Sequence, residues 1–210
     1  MTQYYNQSNL TLGQWDELVV QPGNVVYNTT IGDGAVEYVE SLGTNLTSFI
    51  NNGGVFYVFS GGNDYNSLNF GGIENVYGTA TASSINMGAT ENIYNNAKAT
   101  DTFIAAGTVN VYNGGNVNNV TFEGIYSKLR LAIPTGLTGT ITDWKVGGLI
   151  DLLNTPVTGV TENASQTQLT VSYSGTSVVY ELHNQQAHTT VVGLSDGNGG
   201  TYLELISTHR

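Results

Sequence analysis

Short apolar clusters recur along the first half of the chain at a nearly constant interval. Their centres are Val39, Val58, Val76, Ile93 and Val111, spaced by 19, 18, 17 and 18 residues, and a weaker copy is centred on Val20, 19 residues before Val39. Glycine precedes each full centre by four or five positions, at Gly34, Gly54, Gly72, Gly88 and Gly107. A second apolar anchor follows nine or ten positions later, at Phe49, Leu68, Ile85, Phe103 and Val120. Turn formers lie between, as Gly43, Gly61-Gly62, Gly78, Asn95-Asn96 and Gly114-Gly115. No long stretch carries the three-to-four-residue apolar spacing of an amphipathic helix. The pattern predicts an all-β chain built from a repeated supersecondary unit.

A single unit of this kind cannot bury its own Val or Phe, but stacked units can. The expected fold is therefore a parallel β-helix (a β-solenoid), in which each strand pairs with its equivalent about 4.8 Å above and below. About six coils are expected within residues 12–125, making a rod of roughly 29 Å. The five centres and the five second anchors should point inward. Strand alternation would also turn the residue two before each centre inward, which suits Phe56 and Val109 but not Glu37, Glu74 and Glu91. These glutamates are expected at solvated corners, with the inward strand starting after them.

The residue after each centre is Glu40, Phe59, Tyr77, Tyr94 and Tyr112 in successive copies. If the centres point in, these point out, giving an outward ladder of four aromatics. Tyr38, Tyr57, Asn75, Asn92 and Asn110 flank it. One reading is coil-to-coil stacking of rings and amides. The other is a ligand platform of Phe59, Tyr77, Tyr94 and Tyr112, suited to sugars, which take apolar contact plus hydrogen bonds.

The runs Gly53-Gly54-Val55-Phe56-Tyr57-Val58-Phe59-Ser60-Gly61-Gly62 and Asn110-Val111-Tyr112-Asn113-Gly114-Gly115 resemble the passenger repeats of AIDA-type autotransporter adhesins. The resemblance spans about residues 12 to 125 and carries more aromatics than the Ser/Thr-rich repeats of that family. It implies an exported bacterial β-helix, secreted or on the cell surface, acting without catalysis in adhesion or as a display scaffold.

Beyond Ile125 the repeat stops. The stretch from Ile141 to Leu152, with Trp144, Gly147 and Asp151, resembles segments that close repeat arrays in large bacterial adhesins. The run Ser195-Asp196-Gly197-Asn198-Gly199-Gly200-Thr201 resembles a hairpin found late in such proteins. Alternating strands are expected from Gln168 to Tyr173 and from Ser177 to Leu182. Residues 1–125 are thus read as the repeat solenoid, and 126–210 as final coils and an irregular β cap continuous with it. A cap is required because the last coil would otherwise expose an unpaired apolar edge.

Composition narrows the partners. The formal net charge is −11, with only five Lys and Arg. Nucleic acid binding depends on neutralising phosphates with such residues, so it is not expected, and an anionic membrane surface is disfavoured for the same reason. No apolar run is long enough for a transmembrane helix, so no membrane insertion of this segment is expected. The absence of Cys removes disulfides, thiolate metal sites and cysteine nucleophiles. The opening residues 1–6 have neither a basic nor an apolar leader character. An export signal is expected to have been removed or to lie elsewhere in a longer parent protein.

Candidate chemistry is sparse. His183 and His188, five apart on strand spacing, would face opposite sides, and no metal or cofactor site is expected. Asp196 and Asn198 read as turn formers rather than a calcium loop, which needs further acidic ligands. Asn-x-Ser/Thr sequons at Asn6, Asn9, Asn28, Asn45, Asn119 and Asn163 follow from composition. Glu74 and Glu91, 17 apart, would stack on neighbouring coils. Paired carboxylates support the alternative reading, a carbohydrate-active β-helix enzyme acting as a polysaccharide hydrolase or lyase. Neutral glycans on a host or neighbouring surface are the expected partners of the leading reading.

Overall fold

The structure, a computed structural model, describes residues 2–3 and 7–208. It is an all-β parallel solenoid. One sheet collects the centre strand of each coil: Glu17–Val20, Val36–Val39, Val55–Val58, Ile73–Val76, Thr90–Ile93 and Thr108–Val111, then Lys128–Leu131 and Leu149–Leu152. These strands number coils one to eight, and the first six fall within residues 12–125. Thr2–Gln3 pairs in parallel ahead of coil one.

The register places the repeat centres in one column. Val20, Val39, Val58, Val76, Ile93, Val111, Leu131 and Leu152 are successive partners. All are buried. A second inward column holds the residues two before the centres: Leu18, Glu37, Phe56, Glu74, Glu91, Val109, Leu129 and Ile150. The expected corner position of Glu37, Glu74 and Glu91 is therefore wrong, since all three are 0% exposed inside the coil. Side-chain parity in a strand has period two, and the ladder above and below holds that register whatever the side chain is.

The opposite sheet takes the longer return path of each coil, starting with Val25–Ile31 and Thr44–Asn51. Midway along each return path one residue adopts the left-handed conformation: Asn28, Thr47, Asn66, Ala82, Asp101 and Asn119. These six align from coil to coil, and each bends the path so that the cross-section has three sides. The bend also resets side-chain parity, so that Asn45 and Ser48, three apart, both face inward. This shifts the second anchors from their expected places. Phe49, Leu68 and Phe103 face outward in one aligned column with Ser84, and the inward residues are Ile50, Asn69, Ile85, Ile104 and Phe122. Ile85 and Val120 point inward as expected, though in different columns.

Glycine is required where neighbouring coils nearly touch. A Cβ on Gly72 would lie 2.4 Å from Ile50 Cγ2 and 2.6 Å from the Asn51 carbonyl oxygen. The same aligned corner position is alanine in coils two and five, at Ala35 and Ala89, and a buried serine in coil seven, at Ser127.

After coil eight the chain changes to antiparallel pairing. Thr201–Ser207 lies antiparallel on Leu149–Leu152, and Thr189–Ser195 on Thr201–Ser207. On the other sheet Thr176–His183 pairs in parallel with Leu137–Thr142, then Gln168–Tyr173 and Val157–Glu162 follow antiparallel. Trp144 is fully buried beneath this cover, stacked on Phe122 at 5.9 Å, and its Nε1 donates to the Gly148 carbonyl at 3.0 Å. Tyr180, also buried, donates its hydroxyl to the Pro134 carbonyl at 2.8 Å. Two hydrogen-bonded large aromatics thus seal an end that would otherwise expose the core.

Candidate functional site

The outward position after each centre carries the ring ladder. Tyr77 and Tyr94 stack at 4.3 Å with planes 2° apart, and Tyr94 and Tyr112 at 4.9 Å and 6°. Phe59 lies 6.2 Å from Tyr77 at 29°. Two further rings join from the column one residue before the centres. Tyr38 and Tyr57 stack at 5.4 Å, and Phe59 lies 6.0 Å from Tyr38 and 5.9 Å from Tyr57. The sequence placed Tyr38 and Tyr57 beside the ladder, whereas the structure makes them part of it. Six rings run continuously from coil two to coil six, roughly 19 Å at strand spacing.

Beside the rings runs a column of amides. Asn92 Nδ2 donates to Asn75 Oδ1 at 3.0 Å, Asn110 Nδ2 to Asn92 Oδ1 at 2.9 Å, and the Tyr94 hydroxyl to Asn75 Oδ1 at 3.3 Å. The column continues as Arg130 and Asp151, joined by an ion pair at 3.1 Å. Packing in the ladder pushes the Tyr94 hydroxyl up to about 12, through burial first and then the Tyr77 hydroxyl. Tyr94 therefore presents a neutral phenol beside the amides.

Stacking decides which ring surfaces a ligand could reach. Internal rings cover one another's faces and leave edges and hydroxyls outward. Ring faces become available at the two ends. At one end Tyr112, 43% exposed, is followed in register by Ala132, whose methyl covers little of it. At the other end a groove of about 510 Å³ is bordered by Val19, Pro22, Tyr38 and Phe59, with Gln21, Glu40 and Ser41 as its polar groups.

The remaining candidates do not assemble into a site. Glu74 and Glu91 stack on adjacent coils as expected, but inside the core, where no polysaccharide reaches them. Asp196 Oδ1 accepts from the N–H groups of Asn198 at 2.7 Å and Gly200 at 2.8 Å, so its carboxylate caps its own turn. Among the described residues no group of three His, Asp or Glu side chains is arranged to hold a metal ion. His209 and Asn6 lie outside the described residues. Asn45, one of the sequons, is buried and bonded to Asp64. A second concavity, between Val157–Glu162 and Thr189–Ser195, is lined by aliphatic, hydroxyl and glycine residues without an ionisable group.

No family model and no curated protein matches the chain. Among solved structures it is similar to a crystal structure of a hyper-glycosylated fragment of TibA, residues 55–350, glycosylated by TibC. The match has 23% identity and a TM-score of 0.53, and covers 70% of this chain. It spans 62% of the TibA fragment. What the two share is the β-solenoid fold.

Proposed function

We propose that this chain is a non-catalytic solenoid of an AIDA-type passenger, displayed on a bacterial surface or secreted, and that it acts in adhesion or as a rigid spacer. The fold shared with the TibA fragment supports this reading, as does the repeat pattern itself. The observation that carries the adhesive role is the continuous six-ring ladder with its hydrogen-bonded amides on the outer face. Neutral glycans suit it. A pyranose can lay its apolar face on Tyr112, while tyrosine hydroxyls and asparagine amides meet its hydroxyls along the strip. The interior burial of Glu74 and Glu91 removes the carboxylate pair on which the alternative enzyme reading relied.

The test is a neutral-glycan array followed by the Tyr112→Ala and Tyr77→Ala/Tyr94→Ala variants. Tyr112→Ala should abolish or strongly weaken binding with little change in melting temperature, since it removes an end ring. The double variant should weaken binding and cost about 1–3 kcal/mol of stability, because those rings also hold coils together. Binding unchanged in both variants would remove the ladder as the site.

A further inference from the structure

The interior of coils two to five contains acids where a solenoid normally keeps aliphatic side chains. Glu37, Asp64, Glu74 and Glu91 sit on consecutive coils, all 0% exposed. Glu37, Glu74 and Glu91 come from the centre-strand sheet, and Asp64 from the opposite one. Their polar neighbours are neutral. Ser48 donates to Glu37 Oε2 at 3.0 Å, Asn45 and Ser67 to Asp64 Oδ1 at 2.5 and 2.7 Å, and Ser83 lies 3.5 Å from Glu74 Oε1. Asn69, also inward, is used by the backbone of Gly72 and Thr90.

No cation faces this cluster from any strand packed around it. The basic residue of these coils, Lys98, is exposed on the outer face. The remaining inward positions of the same strands are Val, Ile, Phe, Ala, Ser, Thr or Asn. Both oxygens of Glu91 and Oε1 of Glu37 have no donor. Asp64 Oδ2 and Glu74 Oε2 likewise have no donor, and buried carboxyl oxygens left in this way are stored at lowest cost in protonated acids. Ionising several of these groups in so apolar a space is prohibitively costly, whereas the neutral acids can be stored there.

We infer that the four interior carboxyls form a proton-binding site, so that folding of coils two to five takes up protons and the solenoid is tightest in acid. Burial pushes Glu37 and Glu91 up to about 8, with Asp64 adding to each by its charge. Glu74 rises well above the usual range, through burial and then the charges of Asp64 and Glu91. Asp64, held by Asn45 and Ser67, rises only to about 6. These are acids whose protonated form the fold favours. Their contribution is complete below the unfolded value of 4.5, declines as pH rises, and is lost once pH passes the folded value of about 8.

The inference is tested by melting the chain between pH 4.5 and 9 and by measuring proton release on unfolding near neutrality. The melting temperature should fall across that interval by about ten degrees or more, and about three protons should be released per chain. The Glu37→Gln/Glu74→Gln/Glu91→Gln variant should lose most of both effects. If that variant does not fold, the wild-type infrared spectrum near neutral pH should still show the carbonyl stretch of protonated carboxylic acids. A melting temperature that is flat or rises over this range, or absence of that band, overturns the inference. So does a melt at alkaline pH that calcium raises and chelator lowers, because a metal rather than protons would then neutralise the cluster.

Discussion

Single side chains in this solenoid are used several times over, because each lies between equivalents on the coils above and below. Val76 touches the Val58 and Ile93 positions in its column and stands two residues from Glu74. Val76→Asp would add an ionisable group to an interior that already holds four, without a cation. The expected cost is at least about 4 kcal/mol, or failure to fold at neutral pH, read by denaturant unfolding. An unchanged midpoint would contradict the inward stack. The centres and the outward aromatics were legible from the repeat interval alone, since alternation along a four-residue strand leaves little freedom. The buried acids were not. Glutamate is an unfavourable interior residue by composition, and what admits it here is partner serines, asparagines and bound protons contributed by distant coils. The signal was present nonetheless: Glu37, Glu74 and Glu91 all occupy the position two before a centre, where Phe56 and Val109 also stand.

At the scale of the element, the bend in the return strand separates what the sequence disclosed from what it concealed. Asn28, Asn66 and Asn119 are residues that tolerate the left-handed conformation, but Thr47 and Ala82 occupy the same aligned position and mask it. An alternating pattern read straight through the bend misplaces everything after it by one residue, and it agrees with apolar character and interval in turning Phe49, Leu68 and Phe103 inward, whereas they face outward. The same column supplies a test. Thr47, at φ 71°, is a β-branched residue held in a strained conformation. Thr47→Asn should stabilise the chain by about 1 kcal/mol, because asparagine occupies that region at lower cost. A melting temperature lowered by this substitution would show that the Thr47 side chain has packing contacts worth more than the strain. The alternation read from Gln168 to Tyr173 and from Ser177 to Leu182 located two strands, which the structure places at Gln168–Tyr173 and Thr176–His183. The pairing of the cap with coil eight was not legible, since Leu149–Leu152 and Thr201–Ser207 are far apart in sequence and neither carries a register signal.

For the whole molecule, the division between interior and surface recasts the formal charge. Taking three protonated carboxyls from the formal −11 leaves about −8 on the folded chain near neutrality. The surface remains acidic enough to repel anionic polymers, while the ladder face offers rings, hydroxyls and amides. A binding mode of that kind releases no counterions, so it differs from charge-driven capture in its response to salt. The most direct measurement is equilibrium binding of a neutral oligosaccharide, selected on the array, at about 0.05 M and about 0.5 M salt. Recognition through the ladder predicts dissociation constants that agree within about a factor of two and a complex lost in Tyr112→Ala. Absence of any neutral glycan ligand, or an affinity that falls tenfold or more with salt, would contradict it.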